Sequence, residues 1–336
     1  MKYAAITNIS YYFPEKVEDN VDARLIRKTG IESRHIASSD ETAADLAVCA
    51  VRKLFNQGVD PSHIDFLLFC TQSPDYFLPT TACVLQARLG LSSSCGALDY
   101  NLGCSGYIYG VSLAKGLIET GQVSNVLLIT AETYSKYINA EDHAVRPLFG
   151  DAASATLIQG VDAEQNTLKG FVFGTDGKGK ENLIVKAGGA RYPSRMTEEV
   201  YSVDAYGNRH TNFELSMNGY NIMQFSAKVV PEALERILSK THLLKENIDY
   251  YVFHQANKFM LEFLKEKCDL GEKPFWNDVS KYGNTVSNSI PIALADLVQT
   301  CDKNRLANVV TIGFGVGLSW AGCVIDLRFM NVISGD

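Results

Sequence analysis

The sequence predicts an α/β protein that consists of two related halves. Helical and strand patterns alternate along its 336 residues, and no stretch is low enough in complexity or rich enough in Pro and Ser to be a linker. The strand candidates are short, nearly continuous apolar runs, which are typical of strands covered on both faces. A unit of helix, short loop and strand also occurs twice, which indicates a duplication.

The first copy of this unit begins with a helix in TAADLAVCAVRKLFNQG. Ser38 and Glu41 have the spacing of a capping box just before it, so we expect them to start the helix, and Gly58 has the position of its stop. The apolar run IDFLLFC, residues 64–70, is the strand that follows. The second copy, EALERILSKTHLLKENIDYYVFH, has the same order of elements.

Two pairs of segments in the halves have nearly the same spacing. Ile248 of IDYYVFH lies 184 residues after Ile64 of IDFLLFC, and Asn308 of NVVTIG lies 183 residues after Asn125 of NVLLIT. Short apolar strands also match by chance, but agreement to within one residue favours duplication. A duplicated α/β protein is expected to carry its functional site where the halves meet.

Composition and charge exclude several classes of partner. The chain is 46% hydrophobic, which is enough for a large core, and its net charge is −7 without any basic run that could follow a phosphate backbone. No apolar stretch approaches the roughly 20 residues of a membrane span, and the first residues lack the features of a signal peptide. We expect a cytoplasmic protein that binds neither nucleic acid nor membrane.

The eight cysteines predict neither a disulfide framework nor a metal site. They lie far apart and show no CxxC or metal-ligand spacing. Several lie in apolar runs, namely Cys49, Cys70, Cys83 and Cys323. We expect most of the cysteines to be buried, reduced thiols.

Cys104 is the cysteine for which the sequence predicts reactivity. In LGCSG an apolar strand runs into a turn, and the following residues have helical spacing up to a stop at Gly121. Free backbone N–H groups and the positive end of the helix dipole would favour a thiolate there. The alternative is a small apolar residue that packs the start of a helix.

His254 and Asn284 are the other candidates. His254 ends the predicted strand in YYVFHQAN, where parallel strands deliver side chains to a crevice. Asn284 lies in the glycine turn of KYGNTVSNSIP, ahead of another helix. Taken singly, each has an ordinary structural role as the alternative, a hydrogen-bonded His and a turn or cap residue.

Taken together, these residues and their surroundings resemble the β-ketoacyl-[acyl-carrier-protein] synthase III family. The resemblance covers the whole chain and includes KTGIESRHIA, LGCSG, FGDAASATL, MNGYNIMQF, HQAN, YGNTVSNSIP and GFGVGLSW. It implies the thiolase fold, with two duplicated α/β halves in α-β-α-β-α layers, assembled as a homodimer. We place the halves at residues 1–168, with Cys104, and 169–336, with His254 and Asn284.

The resemblance also implies a reaction. An acyl group from coenzyme A or an acyl carrier protein would be transferred to Cys104, and a malonyl thioester would then lose carbon dioxide and attack it in a Claisen condensation. His254 and Asn284 would stabilise the enolate oxygen. The partners would be acyl carrier protein and acyl thioesters, and no metal or other cofactor is required.

Further site residues follow from the same resemblance. The backbone N–H groups of Cys104 and Val316 would form the oxyanion hole for the acyl carbonyl, although many relatives have Gly at the position of Val316. Leu78, before a proline, would line the acyl pocket from across the dimer. The residues expected to bind the substrate and its pantetheine arm are Lys28, Thr29, Gly219 and Asn257.

One departure from the family concerns the donor. Relatives often hold the coenzyme A adenine between a Trp and an Arg, and the corresponding positions are Arg24 and His143. Loss of the aromatic residue that stacks on the adenine favours an acyl donor carried on a protein instead of on coenzyme A. The alternative is that the sequence has drifted at these positions without a change of acyl donor.

Other readings use the same three residue types. A papain-like protease also has Cys, His and Asn in this order, but its local signature around the Cys is absent. A thiolase proper needs a second catalytic Cys, and Cys323 lies in a predicted strand; elongating synthases use two His. A thiolase-fold acyltransferase that passes the acyl group to an O or N nucleophile remains open, as does a non-catalytic partner subunit.

Overall fold

The protein consists of two mixed β-sheets with helices between and outside them; the computed structural model describes residues 2–203 and 207–331. The first half contains β1 (Tyr3–Tyr12), β2 (Val17–Asp19), α1 (Ala23–Thr29), β3 (Ser33–His35), α2 (Ala43–Asn56), β4 (Phe66–Cys70), α3 (Thr81–Arg88), β5 (Gly96–Tyr100), α4 (Gly106–Glu119), β6 (Asn125–Glu132) and β7 (Ala152–Val161). The second half contains β8 (Leu168–Thr175), β9 (Leu183–Val185), β10 (Tyr201–Val203), β11 (Arg209–Thr211), β12 (Leu215–Met217), α5 (Gly219–Thr241), β13 (Tyr250–Phe253), α6 (Lys258–Lys267), α7 (Val279–Tyr282), α8 (Ser289–Thr300), β14 (Val309–Gly315) and β15 (Ser319–Ile325).

The two main sheets have the same strand order. The first runs β1-β7-β6-β4-β5, and the second, taken from its opposite end, runs β8-β15-β14-β13. In each, an antiparallel strand (β7 or β15) separates the first strand from a parallel pair (β6 with β4, or β14 with β13). A parallel bridge between Tyr251 and Phe275 occupies the place of a fifth strand in the second sheet. The predicted duplication is therefore confirmed.

Equivalent Asp and Asn residues join the starts of the two parallel strands in each half. Asp65 precedes β4 and accepts a hydrogen bond from the Asn125 N–H at 2.8 Å, and its own N–H donates to the Asn125 carbonyl at 3.1 Å. Asp249 precedes β13 and makes the same pair of bonds with Asn308, at 2.7 and 3.0 Å. Each reciprocal pair holds the starts of two parallel strands in register.

The central layer consists of α4 and α8, which lie between the two sheets. α4 packs against β1 and β6 of the first sheet and against β14 and β15 of the second, while α8 packs against β1 and β13. α2 and α3 cover the outer face of the first sheet, and α5 and α6 cover that of the second. The order of layers is thus α-β-α-β-α, as the family resemblance implied.

α4 is mostly apolar because both sheets pack against it, and its charged side chains, Lys115 and Glu119, lie toward its C-terminal end. Ile108, Val111 and Ala114 are fully buried and Ile118 is 5% exposed. Each large aliphatic side chain removed from water in this way contributes about 1.5–3 kcal/mol. Gly121 follows the helix with φ of 74°, a left-handed conformation that Gly adopts without steric cost. The predicted helix and its stop are confirmed.

The prediction that Ser38 and Glu41 cap α2 is wrong. The helix begins one turn later, where Thr42 is the N-cap and exchanges hydrogen bonds with Asp45: the Thr42 N–H donates to the Asp45 carboxylate at 2.8 Å, and the Asp45 N–H donates to Thr42 Oγ1 at 3.3 Å. Two capping-box spacings occur in succession, and the earlier one forms only a turn, in which the Ser38 N–H donates to Glu41 at 2.8 Å.

All eight cysteines are free thiols. Five are buried, but Cys83 lies exposed on α3, so the burial expected from its apolar surroundings is wrong for this residue. Within residues 2–203 and 207–331, no helix is both long and apolar enough to cross a bilayer. The boundary between the halves at residues 168 and 169 stays a prediction; β8 begins at Leu168.

Candidate active site

Cys104 lies in the turn between β5 and α4, against the strand β14 of the other half. It is 5% exposed. A Cβ atom placed on Gly315 would lie 2.8 Å from the Cys104 sulfur, and one on Gly313 would lie 2.5 Å from the Cys104 carbonyl oxygen. Both distances are too short for a real contact, so only Gly at these positions lets β14 approach the cysteine.

The two predicted oxyanion-hole donors both face the Cys104 sulfur. The backbone N–H groups of Cys104 and Val316 interact with the sulfur and oppose the effect of burial on its pKa. Val316 does not have a positive φ, whereas Gly317 after it has φ of 140°. The β-branched side chain of Val316 is therefore compatible with its backbone. The positive φ that only Gly adopts easily in this turn belongs to Gly317.

His254 follows β13 and is almost completely buried, at 2% exposed. Its N–H donates to the Ile312 carbonyl of β14 at 2.9 Å, and its ring meets the Phe314 ring edge-on with centroids 5.5 Å apart. Nδ1 lies 2.6 Å from Ser289 Oγ. Burial lowers the pKa of His254 to about 3, so the imidazole is neutral at physiological pH.

Asn284 lies in the turn after α7 and is 7% exposed. Its backbone is held on both sides, since its N–H donates to the Leu148 carbonyl at 2.8 Å and its carbonyl accepts from the Gly150 N–H at 3.0 Å. The side-chain Oδ1 accepts the Val286 N–H at 2.9 Å. Because that partner is a donor, the amide is oriented with its NH₂ group available to donate.

The structure brings Cys104, His254 and Asn284 to one place between the halves. Val286, whose N–H holds the Asn284 side chain, belongs to the same apolar cluster as Cys104. On the other side, β14 contacts Cys104 through Gly315 and His254 through Phe314. The nucleophile and both candidate donors are therefore connected through neighbouring residues where the halves meet.

Burial decides the ionisation of Cys104. It raises the pKa of the thiol to about 12, and the carboxyl of Glu132 raises it further, against the two backbone N–H groups. The expectation that the start of α4 favours a thiolate is therefore wrong for the free protein. Desolvation of the sulfur outweighs these favourable dipoles, and the thiol is protonated at neutral pH.

Glu132 is a buried acid at this site that sequence reasoning missed. It is fully buried at the end of β6 and accepts hydrogen bonds from the Gln72 N–H, Ser73 Oγ and Ser287 Oγ, all at 3.1 Å. Burial raises the pKa of this carboxyl to about 8. The available signal was a carboxyl that ends the apolar strand NVLLITAE at the carboxyl edge of a parallel pair.

Two of the predicted substrate residues lie at one surface. α1 packs against α6, and the Lys28 ammonium lies 5.9 Å from the centre of the Phe259 ring. Asn257 is the N-cap of α6, three residues after His254, and its Oδ1 accepts the Met260 N–H at 2.9 Å.

Thr29, Gly219 and Leu78 have different surroundings. Thr29 is 6% exposed, and its Oγ1 donates to the Leu25 carbonyl at 2.8 Å, so its hydroxyl is engaged within its own helix end. Gly219 is the exposed first residue of α5. Leu78 is 82% exposed and lies outside the apolar cluster around Cys104.

The duplicated sheets around two central helices define a condensing enzyme of the thiolase fold, and solved structures share the architecture. A crystal structure of a 3-oxoacyl-(acyl-carrier-protein) synthase III superposes with a TM-score of 0.93 and 48% identity, over 96% of this chain and 99% of that one. A 3-oxoacyl-(acyl-carrier protein) synthase of Burkholderia xenovorans has a TM-score of 0.87 and 35% identity, over 99% and 96% of the two chains.

Sequence comparison narrows the class. Residues 98–177 match the family model 3-oxoacyl-[acyl-carrier-protein (ACP)] synthase III, and residues 238–327 match the model of its C-terminal region. The β-ketoacyl-[acyl-carrier-protein] synthase III of Caldanaerobacter subterraneus is 35% identical, over 96% of this chain and 97% of that one, and that of Clostridium perfringens is 34% identical, over 97% and 100%. The chain belongs to the 3-oxoacyl-[acyl-carrier-protein] synthase III family and is an acyl-transferring condensing enzyme.

Proposed function

We propose that Cys104 accepts the acyl group and that His254 and Asn284 stabilise the enolate with which it condenses. The observation that carries this proposal is the orientation of Asn284, whose Oδ1 is occupied by the Val286 N–H so that its NH₂ group can donate. Two donors to one oxygen suit decarboxylative condensation, in which negative charge develops on the thioester oxygen of the extender.

The proposed first step is a thioester exchange. A bond forms between the acyl carbon and the Cys104 sulfur, the bond to the donor's sulfur breaks, and the thiol proton of Cys104 leaves with the released thiol, so no net base is consumed. The N–H groups of Cys104 and Val316 would stabilise the oxygen of the tetrahedral intermediate. Each donor of this kind contributes about 3 kcal/mol when it is preorganised.

The proposed second step forms the carbon–carbon bond. The carboxylate of a malonyl thioester leaves as carbon dioxide, and its electron pair becomes the enolate that attacks the acyl carbon on Cys104. The bond between the acyl carbon and the Cys104 sulfur then breaks, the sulfur leaves as a thiolate that takes one proton from solvent, and a 3-oxoacyl thioester is released. Decarboxylation itself supplies the carbanion, and we propose that no metal or other cofactor takes part.

We also propose that an acyl carrier protein delivers the malonyl group and that the reaction takes place in the cytoplasm. The names of the relatives, which include acyl carrier protein, support the first statement. Lys28 at the surface near Asn257 supports the entry of a phosphopantetheine arm on that side, because a phosphate would meet a positive charge there.

A homodimer is part of the proposal. Three consecutive apolar side chains, Tyr76, Phe77 and Leu78, are 59%, 87% and 82% exposed. A continuous apolar patch of this kind is typical of a contact surface. A second copy that covered it would receive Leu78 near its own acyl pocket, as the family resemblance implies.

The test is a stepwise assay of capture and condensation. The protein is incubated with a panel of acyl-coenzyme A and acyl-carrier donors, the mass of the peptide containing Cys104 is measured, and a malonyl carrier is then added. We expect acylation followed by a 3-oxoacyl product, with Cys104→Ala losing capture and Cys83→Ala, at an exposed thiol, retaining it. Turnover only with alcohols or amines would instead identify an acyltransferase.

A further inference from the structure

Ser289 contacts the candidate donor His254 from the side opposite the reaction. It is the first residue of α8 and is 3% exposed. Its Oγ lies 2.6 Å from His254 Nδ1 and 3.3 Å from the backbone nitrogen of Gln255. These are the partners of this hydroxyl within the described residues, and they determine where the protons lie.

The direction of the hydrogen bond follows from counting donors. The Gln255 N–H can only donate, so Ser289 Oγ accepts it. If Nδ1 of His254 also carried a proton, the oxygen would accept twice and its own O–H would be left without an acceptor among the described residues. A buried hydroxyl in that state costs about 1–3 kcal/mol. The hydroxyl is therefore best satisfied when it donates to Nδ1.

We propose that Ser289 is a positioning residue that holds His254 in the tautomer with its proton on Nε2. This inference rests on the proposed role of His254. An imidazole that accepts at Nδ1 has its single N–H at Nε2, the nitrogen turned toward the enolate oxygen in the proposed reaction. The opposite tautomer would present a lone pair to that oxygen and repel it.

The neutrality of His254 is what gives the tautomer its importance. An imidazolium donates from both nitrogens and needs no selection, but burial keeps this ring neutral because it lowers the pKa to about 3. A neutral ring has one donor to place. Ser289 and the Val286 N–H thus have the same role toward their partners. Each donates a hydrogen bond to the atom that faces away from the substrate, so that the N–H group of His254 or Asn284 that faces the substrate is free to donate.

Hydrogen bonds of Asn288 hold the start of α8, and with it Ser289, in place. Asn288, just before Ser289, accepts a hydrogen bond from Thr130 Oγ1 at 2.6 Å and donates from Nδ2 to the Ala152 carbonyl at 3.0 Å. Both partners belong to the first half, on β6 and β7. The hydroxyl that orients His254 is therefore positioned by the opposite sheet.

The test begins with the unaltered protein, so that it does not depend on a variant that folds. Nitrogen NMR of protein with ¹⁵N-labelled histidine, assigned with His254→Asn, reports directly which ring nitrogen carries the proton. We expect a protonated Nε2 and an unprotonated Nδ1 at pH 7. A protonated Nδ1 in the wild-type protein overturns the proposal, whatever the enzyme proves to do.

Variants then connect the tautomer with the reaction. Ser289→Ala is expected to mix the two tautomers and to reduce the condensation rate by roughly tenfold, with unchanged capture of the acyl group by Cys104. Ser289→Thr retains the hydroxyl and should restore both the NMR signature and the rate. Ser226→Ala is the matched control, because it removes a fully buried hydroxyl whose partner among the described residues is the Ile222 carbonyl of its own helix, α5.

The outcomes separate this proposal from the proposed function. If Ser289→Ala mixes the tautomers and condensation is unchanged, the positioning role is refuted while capture by Cys104 stands. If the wild-type protein has the expected tautomer but forms no 3-oxoacyl product from any donor, the assignment of the reaction fails and the hydrogen-bond geometry stands. Equal losses of capture and condensation in Ser289→Ala would indicate a merely structural role.

Discussion

Glu132 accepts a hydrogen bond from Ser287 Oγ at 3.1 Å and so joins the end of β6 to the turn that carries Asn284. The turn is strained, because the β-branched Val286 has φ of 56° in the left-handed region. Such a conformation costs about 1–3 kcal/mol and persists only where its surroundings enforce it. The bond from Ser287 to a buried carboxyl of the other half is part of that enforcement.

Glu132→Gln is expected to make the Cys104 thiol easier to ionise. With a pKa of about 8, Glu132 becomes charged as the pH rises, and its charge opposes the thiolate. The variant should therefore react severalfold faster with iodoacetamide at pH 9, measured as mass gain on Cys104. Glu119→Gln, at the far end of α4, is the control and should match the wild type. Equal rates in all three proteins would refute the coupling.

Asn284→Ala is expected to retain acyl capture and to lose condensation by a factor on the order of 100–1,000, the usual effect of removing one preorganised donor. Asn284→Asp tests the same point with almost no change in shape, since it replaces the NH₂ group with an acceptor. Both steps are measured by mass spectrometry, with the exposed Asn304→Ala as control. Condensation at the parental rate in Asn284→Asp would rule out the donor role.

The buried histidine predicts how stability depends on pH. The pKa of His254 is lowered from 6.5 to about 3, so between these values the unfolded chain binds a proton that the folded protein does not. The free energy of unfolding therefore falls by up to about 1.4 kcal/mol per pH unit as the pH drops from 6.5 toward 3, and this loss is absent above pH 6.5. Urea unfolding of wild type and His254→Asn from pH 4.5 to 7 should show a steeper loss in the wild type. Parallel curves would contradict this result.

The exposed apolar loop predicts the assembly. Phe77→Asp places a charge on the patch of residues 76–78, where it would be desolvated in a dimer, so we expect a monomer or a much weaker dimer by light scattering. Val21→Asp is a matched control, because Val21 is also apolar and is 94% exposed at another place in the sequence. Identical masses for the two variants would exclude this loop as the interface.

The sequence predicted the duplicated fold because its signals are local and repeated. The apolar runs at Ile64 and Ile248 indicate buried parallel strands. The strands that begin near Asn125 and Asn308 are separated by almost the same number of residues as these two runs, which indicates that both pairs belong to one repeat. The cap of α2 was misplaced because Thr42 and Asp45 have the same spacing as Ser38 and Glu41, and only packing decides between them.

The candidate site was harder to predict because its chemistry depends on contacts between distant segments. Cys104, His254 and Asn284 could be identified from motifs, but the neutral state of the histidine and the protonated state of the thiol follow from burial, which no local pattern reveals. Glu132 and Ser289 were missed for the same reason. Their partners lie 155 and 35 residues away along the chain.

The glycines of β14 set a limit on how this enzyme can change. Where Gly315 faces the Cys104 sulfur, the wall is main chain, and a Cβ atom there would lie only 2.8 Å from the sulfur. Any substitution there would bring an atom too close to the sulfur, and Gly has no side chain that a smaller residue could shorten, so this side of the nucleophile cannot be altered to admit a longer acyl chain. Evolution or design toward other chain lengths must therefore work through the remaining walls.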